Sequence, residues 1–271
     1  MGDKQIDASK AAAPRRRGIY LLPNLFTTAA MFSGFYAIVS AIHERFEPAA
    51  IALFVAMILD GMDGRIARLT NTQSDFGAEY DSLSDMVSFG LAPALVVYLW
   101  ALSAFGKAGW MAAFLYATMA ALRLARFNTQ VGIADKRYFQ GLPSPAAAAL
   151  VAGIVWVGDD NALRGSAIMV LSSFVLTVAA ALLMVSRFRY HSFKELDLRG
   201  RVPFLKILLV VGVFVFLSLN PPLMLLGVFL LYAASGPALT LLSLRTRRAA
   251  RRAQMMAERA AASRSSDTGS V

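Results

Sequence analysis

Residues 60–85 read DGMDGRIARLTNTQSDFGAEYDSLSD. Asp60 and Asp63 close one apolar run, and Asp81 and Asp85 open the next. Carboxylates at the ends of membrane-length segments are costly and mark function by default. Residues three or four apart on an α-helix share a face, so each pair of acids points one way. Two helices that each present two carboxylates can converge on hard divalent cations such as Mg²⁺ or Mn²⁺. Gly61, Gly64 and Ala67 keep the first helix thin beside its acids, which lets a bulky ligand approach the backbone. Arg68 adds a planar donor fork suited to phosphate. Together these residues predict a metal–diphosphate site. The plainer alternative is a set of helix caps and loop charges, with Asp81 capping the third helix. Caps alone do not require four acids in two helical pairs flanked by glycines.

Working outward, the 271 residues are 57% hydrophobic and only 16% charged, with a positive mean hydropathy. That composition predicts an all-α, polytopic membrane protein. No cysteine is present, which excludes disulfides and thiolate metal sites. The net charge of +10 does not imply nucleic acid, because no stacking platform or binding motif accompanies it. Lys and Arg instead gather on one side of the expected spans, as the positive-inside rule requires of cytoplasmic loops.

The expected spans run from Leu21 to Ile42, Pro48 to Arg68, Asp81 to Phe105 with a kink at Pro93, and Gly109 to Phe127. They continue from just after Pro143-Ser144-Pro145 to Val157 and from Ser166 to Ser186, then Phe204 to Leu219 and Leu223 to Leu244, the last two joined at Asn220-Pro221-Pro222. Residues 69–80 read as a polar turn, and Arg123 to Gln140 as a basic loop. Asn24 reads equally as a helix cap or a ligand contact, near the same membrane face as the acids. Residues 1–18 read as a disordered cytoplasmic segment whose Pro14-Arg15-Arg16-Arg17 end anchors to anionic membrane lipids, not as a signal peptide. The expected domains are a catalytic membrane domain over 19–200, an accessory hairpin over 201–246 and a basic cytoplasmic tail over 247–271. Eight spans put both termini, and the aspartate cluster, on the cytoplasmic side of the cell membrane.

The spacing Asp60-x-x-Asp63-Gly64-x-x-Ala67-Arg68, eight residues, Gly77-x-x-x-Asp81-x-x-x-Asp85 resembles the signature of the CDP-alcohol phosphatidyltransferases at every fixed position. The resemblance implies a six-helix catalytic core, here followed by the two-helix hairpin. It also implies a CDP-linked lipid, CDP-diacylglycerol, whose diphosphate sits on two Mg²⁺ or Mn²⁺ ions. Asp60, Asp63, Asp81 and Asp85 match the metal-binding acids, and Asp85 also matches the general base. Asp60, Gly64, Ala67, Arg68 and Gly77 match positions around the CDP-lipid. A homodimer through the membrane helices is a further implication.

Other stretches are similar to membrane-embedded phosphatidylserine synthases within that family: Pro23-Asn24-Leu25-Phe26-Thr27, residues 76–83, Arg123-Leu-Ala-Arg126-Phe127-Asn128 and residues 139–145. The acceptor so implied is L-serine. Its ammonium needs an acid, for which Glu79 is the candidate, and its carboxylate needs a cation, Arg123 or Arg126. Glycerol 3-phosphate and inositol phosphate are alternative acceptors, since arginine binds phosphate equally well. An intramembrane prenyltransferase would carry two well-separated acidic clusters. A cation transporter would place its acids near the midplane and would leave Arg68 unexplained.

Overall fold

A computed structural model describes residues 21–70, 72–129, 138–191, 204–240 and 255 of the chain. Among them, eight long helices follow one another. They are α1 (Leu21–Ile42), α2 (Phe46–Thr70), α3 (Asp75–Trp100), α4 (Lys107–Thr129), α5 (Ser144–Asp160), α6 (Ala167–Val185), α7 (Phe204–Leu219) and α8 (Pro221–Thr240). Helices α1, α3, α4, α6 and α8 are long and apolar enough to cross a membrane. The protein is an all-α membrane protein, as expected. Residues 1–18 and the basic tail beyond 240, Met255 apart, lie outside the described residues.

Helix α2 shows how the sequence builds the site. Ala49, Leu53 and Ala56 are buried along one stripe, and the same stripe continues through Asp60, Asp63 and Ala67. One face is therefore core for its first turns and acidic for its last. Its small side chains let α1 pack along it closely, as in other membrane helix pairs. Two glycines in a helix interior each cost about 1 kcal/mol relative to alanine. Packing among the described residues does not call for them, because there a Cβ on Gly61 would meet nothing and one on Gly64 only the Arg68 guanidinium at 3.6 Å.

Several local expectations need correction. First, the polar turn after α2 is shorter than the reading of 69–80. Ser74 caps α3 by accepting the Gly77 N–H at 3.1 Å, so the helix begins at Asp75. Asp81 lies two turns inside α3 and caps nothing, which removes the cap reading for that residue. Second, Arg123 and Arg126 are on helix α4, not in a loop. Third, a two-stranded antiparallel ladder pairs β1 (Tyr138–Gln140) with β2 (Arg189–His191), with Phe139 opposite Tyr190. Three-residue strands carry too little alternation to be read from sequence.

The third span also ends earlier than expected, at Trp100, with a 3₁₀ turn over Leu102–Phe105. A π-helical segment, Met86–Leu91, sits just after Asp85 and two residues before Pro93. Pro93 has no N–H for the Phe89 carbonyl, and the buried Tyr116 hydroxyl of α4 donates to that carbonyl at 3.2 Å. Close contact with α1 holds this distorted stretch in place. Ser84 and Ser88 donate to the Thr27 and Ala30 carbonyls at 3.0 and 3.2 Å. Gly34 permits the approach, since a Cβ there would lie 2.7 Å from the Ser88 Cα.

Candidate active site

Helices α2 and α3 meet at their polar ends beside the start of α1. Asp60, Asp63 and Asp81 each offer a carboxylate oxygen, and these oxygens all lie within 4.8 Å of one another. Asp85 is one turn beyond Asp81 on the same face, in side-chain contact with Asp60 and within electrostatic range of Asp81 and Arg123. Asp63 is only 5% exposed. Carboxylates so close and so poorly hydrated repel one another unless a cation intervenes. The oxygen donor set suits Mg²⁺ or Mn²⁺.

Beside the acids is a cleft of about 270 Å³. Asn24 and Thr27 of α1 form one wall, and Asp63, Gly64, Ala67 and Arg68 of α2 another. Thr72, Gln73 and Ser74 form its rim, and Gly77, Ala78 and Asp81 of α3 close it. A Cβ on Gly64 would project towards the Arg68 guanidinium, at 3.6 Å. Gly77 is tighter: a Cβ would meet Ser74 Oγ at 3.2 Å and Asn24 Oδ1 at 3.5 Å. Asn24 is inside α1 and faces this cleft, which favours ligand contact over capping.

One residue gained no role from the sequence. The Thr27 hydroxyl donates to Asp63 Oδ2 at 2.8 Å, and both side chains are buried. Its signal was present in outline, as a hydroxyl one turn from Pro23 on the helix end facing the acids.

The three acceptor candidates are dispersed. Glu79 is exposed, two residues from Asp81 and so on the far side of α3, and it does not line the cleft. Arg126 donates to the Val185 carbonyl at 3.1 Å and ties α4 to the end of α6. Arg123 points inward. One terminal nitrogen donates to Ser144 Oγ at 2.9 Å, while its buried Nε has no acceptor among the described residues. Its charge faces Asp85.

The pattern of the CDP-alcohol phosphatidyltransferases matches residues 20–234, a stretch that contains the whole acidic cluster and all eight helices but the end of α8. The chain belongs to this family. This phosphatidyltransferase is thus a membrane enzyme of phospholipid synthesis. It is 40% identical over 213 residues to the CDP-diacylglycerol–serine O-phosphatidyltransferase of Helicobacter pylori, covering 78% of this chain and 87% of that one. A protein of the same name from Methanocaldococcus jannaschii is 37% identical over 141 residues, 52% of this chain and 62% of its own. The Saccharomyces cerevisiae protein of that name is 37% identical over 139 residues, 46% and 50% of the two chains.

Proposed function

We propose that this phosphatidyltransferase moves the phosphatidyl group of CDP-diacylglycerol to the hydroxyl of L-serine, forming phosphatidylserine and releasing CMP. The observation that carries this reading is the likeness to the Helicobacter pylori serine enzyme over most of both chains, together with a carboxylate cluster that opens on a nucleotide-sized cleft.

Asp60, Asp63, Asp81 and Asp85 are the residues that would hold Mg²⁺ or Mn²⁺, two ions in this reading. Bound there, the metal would neutralise the diphosphate and stabilise the departing CMP. Gly64, Ala67 and Gly77 let the cytidine nucleotide lie against the helix backbones, and Arg68 meets its phosphate charge. The serine hydroxyl attacks the phosphorus that carries the diacylglycerol, Asp85 accepts its proton, and the bond to the CMP oxygen breaks. A carboxylate is a weak base for an alcohol, so positioning contributes most of what the residues supply. Of the two arginines, Arg123 is the better partner for the serine carboxylate, because it faces Asp85 and retains an uncommitted donor. Glu79 lines no part of the cleft, so its proposed role is restricted to meeting the serine ammonium on approach from water. In a cell the site would lie at the cytoplasmic boundary of the membrane, where a soluble amino acid and a lipid can meet.

The test uses the purified enzyme in lipid nanodiscs with CDP-diacylglycerol and Mn²⁺ or Mg²⁺. CMP release should require serine. Release with glycerol 3-phosphate or an inositol phosphate, but not with serine, would overturn the acceptor assignment while leaving the transfer chemistry in place.

A further inference from the structure

The start of α5 carries more backbone restraint than a helix entry needs. Gly141 has a φ of +79°, in the left-handed region, and a Cβ there would run into the Met184 carbonyl, so the position calls for glycine. Its N–H donates to the Phe188 carbonyl and that of Leu142 to the Leu183 carbonyl, each at 2.9 Å. The short ladder in which Phe139 faces Tyr190 lies just before them. This frame fixes the place of Ser144, the first residue of α5. Ser144 is wholly buried, and its hydroxyl does not cap the helix. Alanines fill positions 146–149 behind it. A hydroxyl in such surroundings is costly unless it has a partner. Its partner is Arg123, whose terminal nitrogen donates to it at 2.9 Å.

The packing of α4 on α3 shows where that guanidinium stands. The Tyr116 hydroxyl meets the Phe89 carbonyl, and a Cβ on Gly90 would lie 3.4 Å from that of Ala120. Nearer the polar end, the Asn128 amide donates to the Ser82 hydroxyl at 3.0 Å. The two helices therefore run antiparallel, α4 from Ala120 to Asn128 alongside α3 from Gly90 back to Ser82. Arg123 lies between these contacts, within a turn of the level of Asp85. It stands two turns after Tyr116 and so on the same face, the one turned to α3. A guanidinium carries its N–H donors in one rigid plane, so a bond at one end sets the direction of the rest. The Nε, buried and without an acceptor among the described residues, is one of those.

We propose that Ser144 is a positioning residue of the acceptor site: by holding one end of the Arg123 guanidinium against the start of α5, it aims the remaining donors at the carboxylate of the acceptor amino acid. This rests on the reading of Arg123 given above. Without Ser144 the long side chain has no fixed end, and a fork meets a carboxylate in two parallel bonds only when it is correctly oriented. The contact acts on the acceptor and not on the CDP-lipid, because neither Ser144 nor Arg123 lines the cleft formed by Gly64, Arg68 and Gly77.

The experiment compares wild type with Ser144→Ala, Arg123→Ala and the double variant Ser144→Ala/Arg123→Ala in nanodiscs, with serine and CDP-diacylglycerol varied separately. Ser144→Ala should raise the serine KM about three- to tenfold, the effect of one lost polar contact, while the CDP-diacylglycerol KM and kcat stay within about twofold. Arg123→Ala should raise the serine KM about tenfold or more, as the loss of a charged partner does. In that background Ser144→Ala should add nothing, since a residue that acts through another is not additive with it. Ser144→Cys keeps the volume but weakens the acceptor, so it should move the serine KM in the same direction and serves if the alanine variant does not fold. Equal rises in both KM values, or full additivity in the double variant, would show general loosening and overturn the proposal. A serine KM within about twofold of wild type in the Ser144 variants, when Arg123→Ala raises it, would overturn the proposal alone. If Arg123→Ala itself leaves the serine KM unchanged, the reading of Arg123 falls and the proposal with it. A wild type that does not turn over serine overturns the acceptor assignment first, and the proposal as a consequence.

Discussion

Thr27→Val removes one hydroxyl and nearly nothing else. The hydroxyl donates to Asp63 Oδ2 at 2.8 Å, and the Pro23 carbonyl lies 3.2 Å away as its second neighbour. Thr27 and Asp63 are 4% and 5% exposed, so water does not replace the lost donor readily. A hydrogen bond to a charged group contributes about 1.5–3 kcal/mol. Its loss leaves the carboxylate rotor free and raises the cost of aiming it at a cation. Groups that orient a metal-binding side chain typically change affinity by about 10- to 100-fold. The Mn²⁺ concentration for half-maximal CMP release should therefore rise by about that factor, and direct Mn²⁺ titration by electron paramagnetic resonance should shift in parallel. Fold stability should fall by no more than about those 1.5–3 kcal/mol, because Ser84 bonds the Thr27 carbonyl and that contact survives the substitution. A half-saturation within about twofold of wild type, in folded protein, would refute the reasoning. A lower kcat at unchanged Mn²⁺ affinity would assign Thr27 to the substrate instead, since it also lines the cleft.

Asp60→Asn, Asp63→Asn and Asp81→Asn should each abolish CMP release in folded protein, whereas Asp75→Asn, in the exposed first turn of α3, should be mild. Gly64→Val should fold, because among the described residues a new Cβ meets just the end of the flexible Arg68 side chain, but it should fill the cleft and raise the CDP-diacylglycerol KM at least about tenfold. Gly34→Ala should act oppositely: a Cβ 2.7 Å from the Ser88 backbone forces α1 from α3 and should cost about 1–3 kcal/mol in thermal unfolding. Substrate affinity would then fall only as a consequence of lost packing.

By itself the sequence determined the class, the helices and the acids. Long apolar runs admit few structures in a membrane, and helix periodicity is strict enough that the spacing of Asp60, Asp63, Asp81 and Asp85 already placed each pair on one face. The aspartates were legible because a carboxylate in an apolar setting is costly unless it is used. Tertiary structure decided the matters that depend on residues far apart in the chain. Whether Glu79, Arg123 or Arg126 could face the site turned on the rotation of α3 and α4 about their axes, and only Arg123 faces Asp85. The start of α3 at Asp75 turned on a cap that is local but weak, since serine is common in turns as well. Thr27 gained its role from a partner 36 residues away. The Tyr190 hydroxyl, on a three-residue strand, donates to the Ala233 carbonyl of α8, 43 residues later. Such pairings have no period and no local signature, because the energy that selects them arises only when separate helices pack.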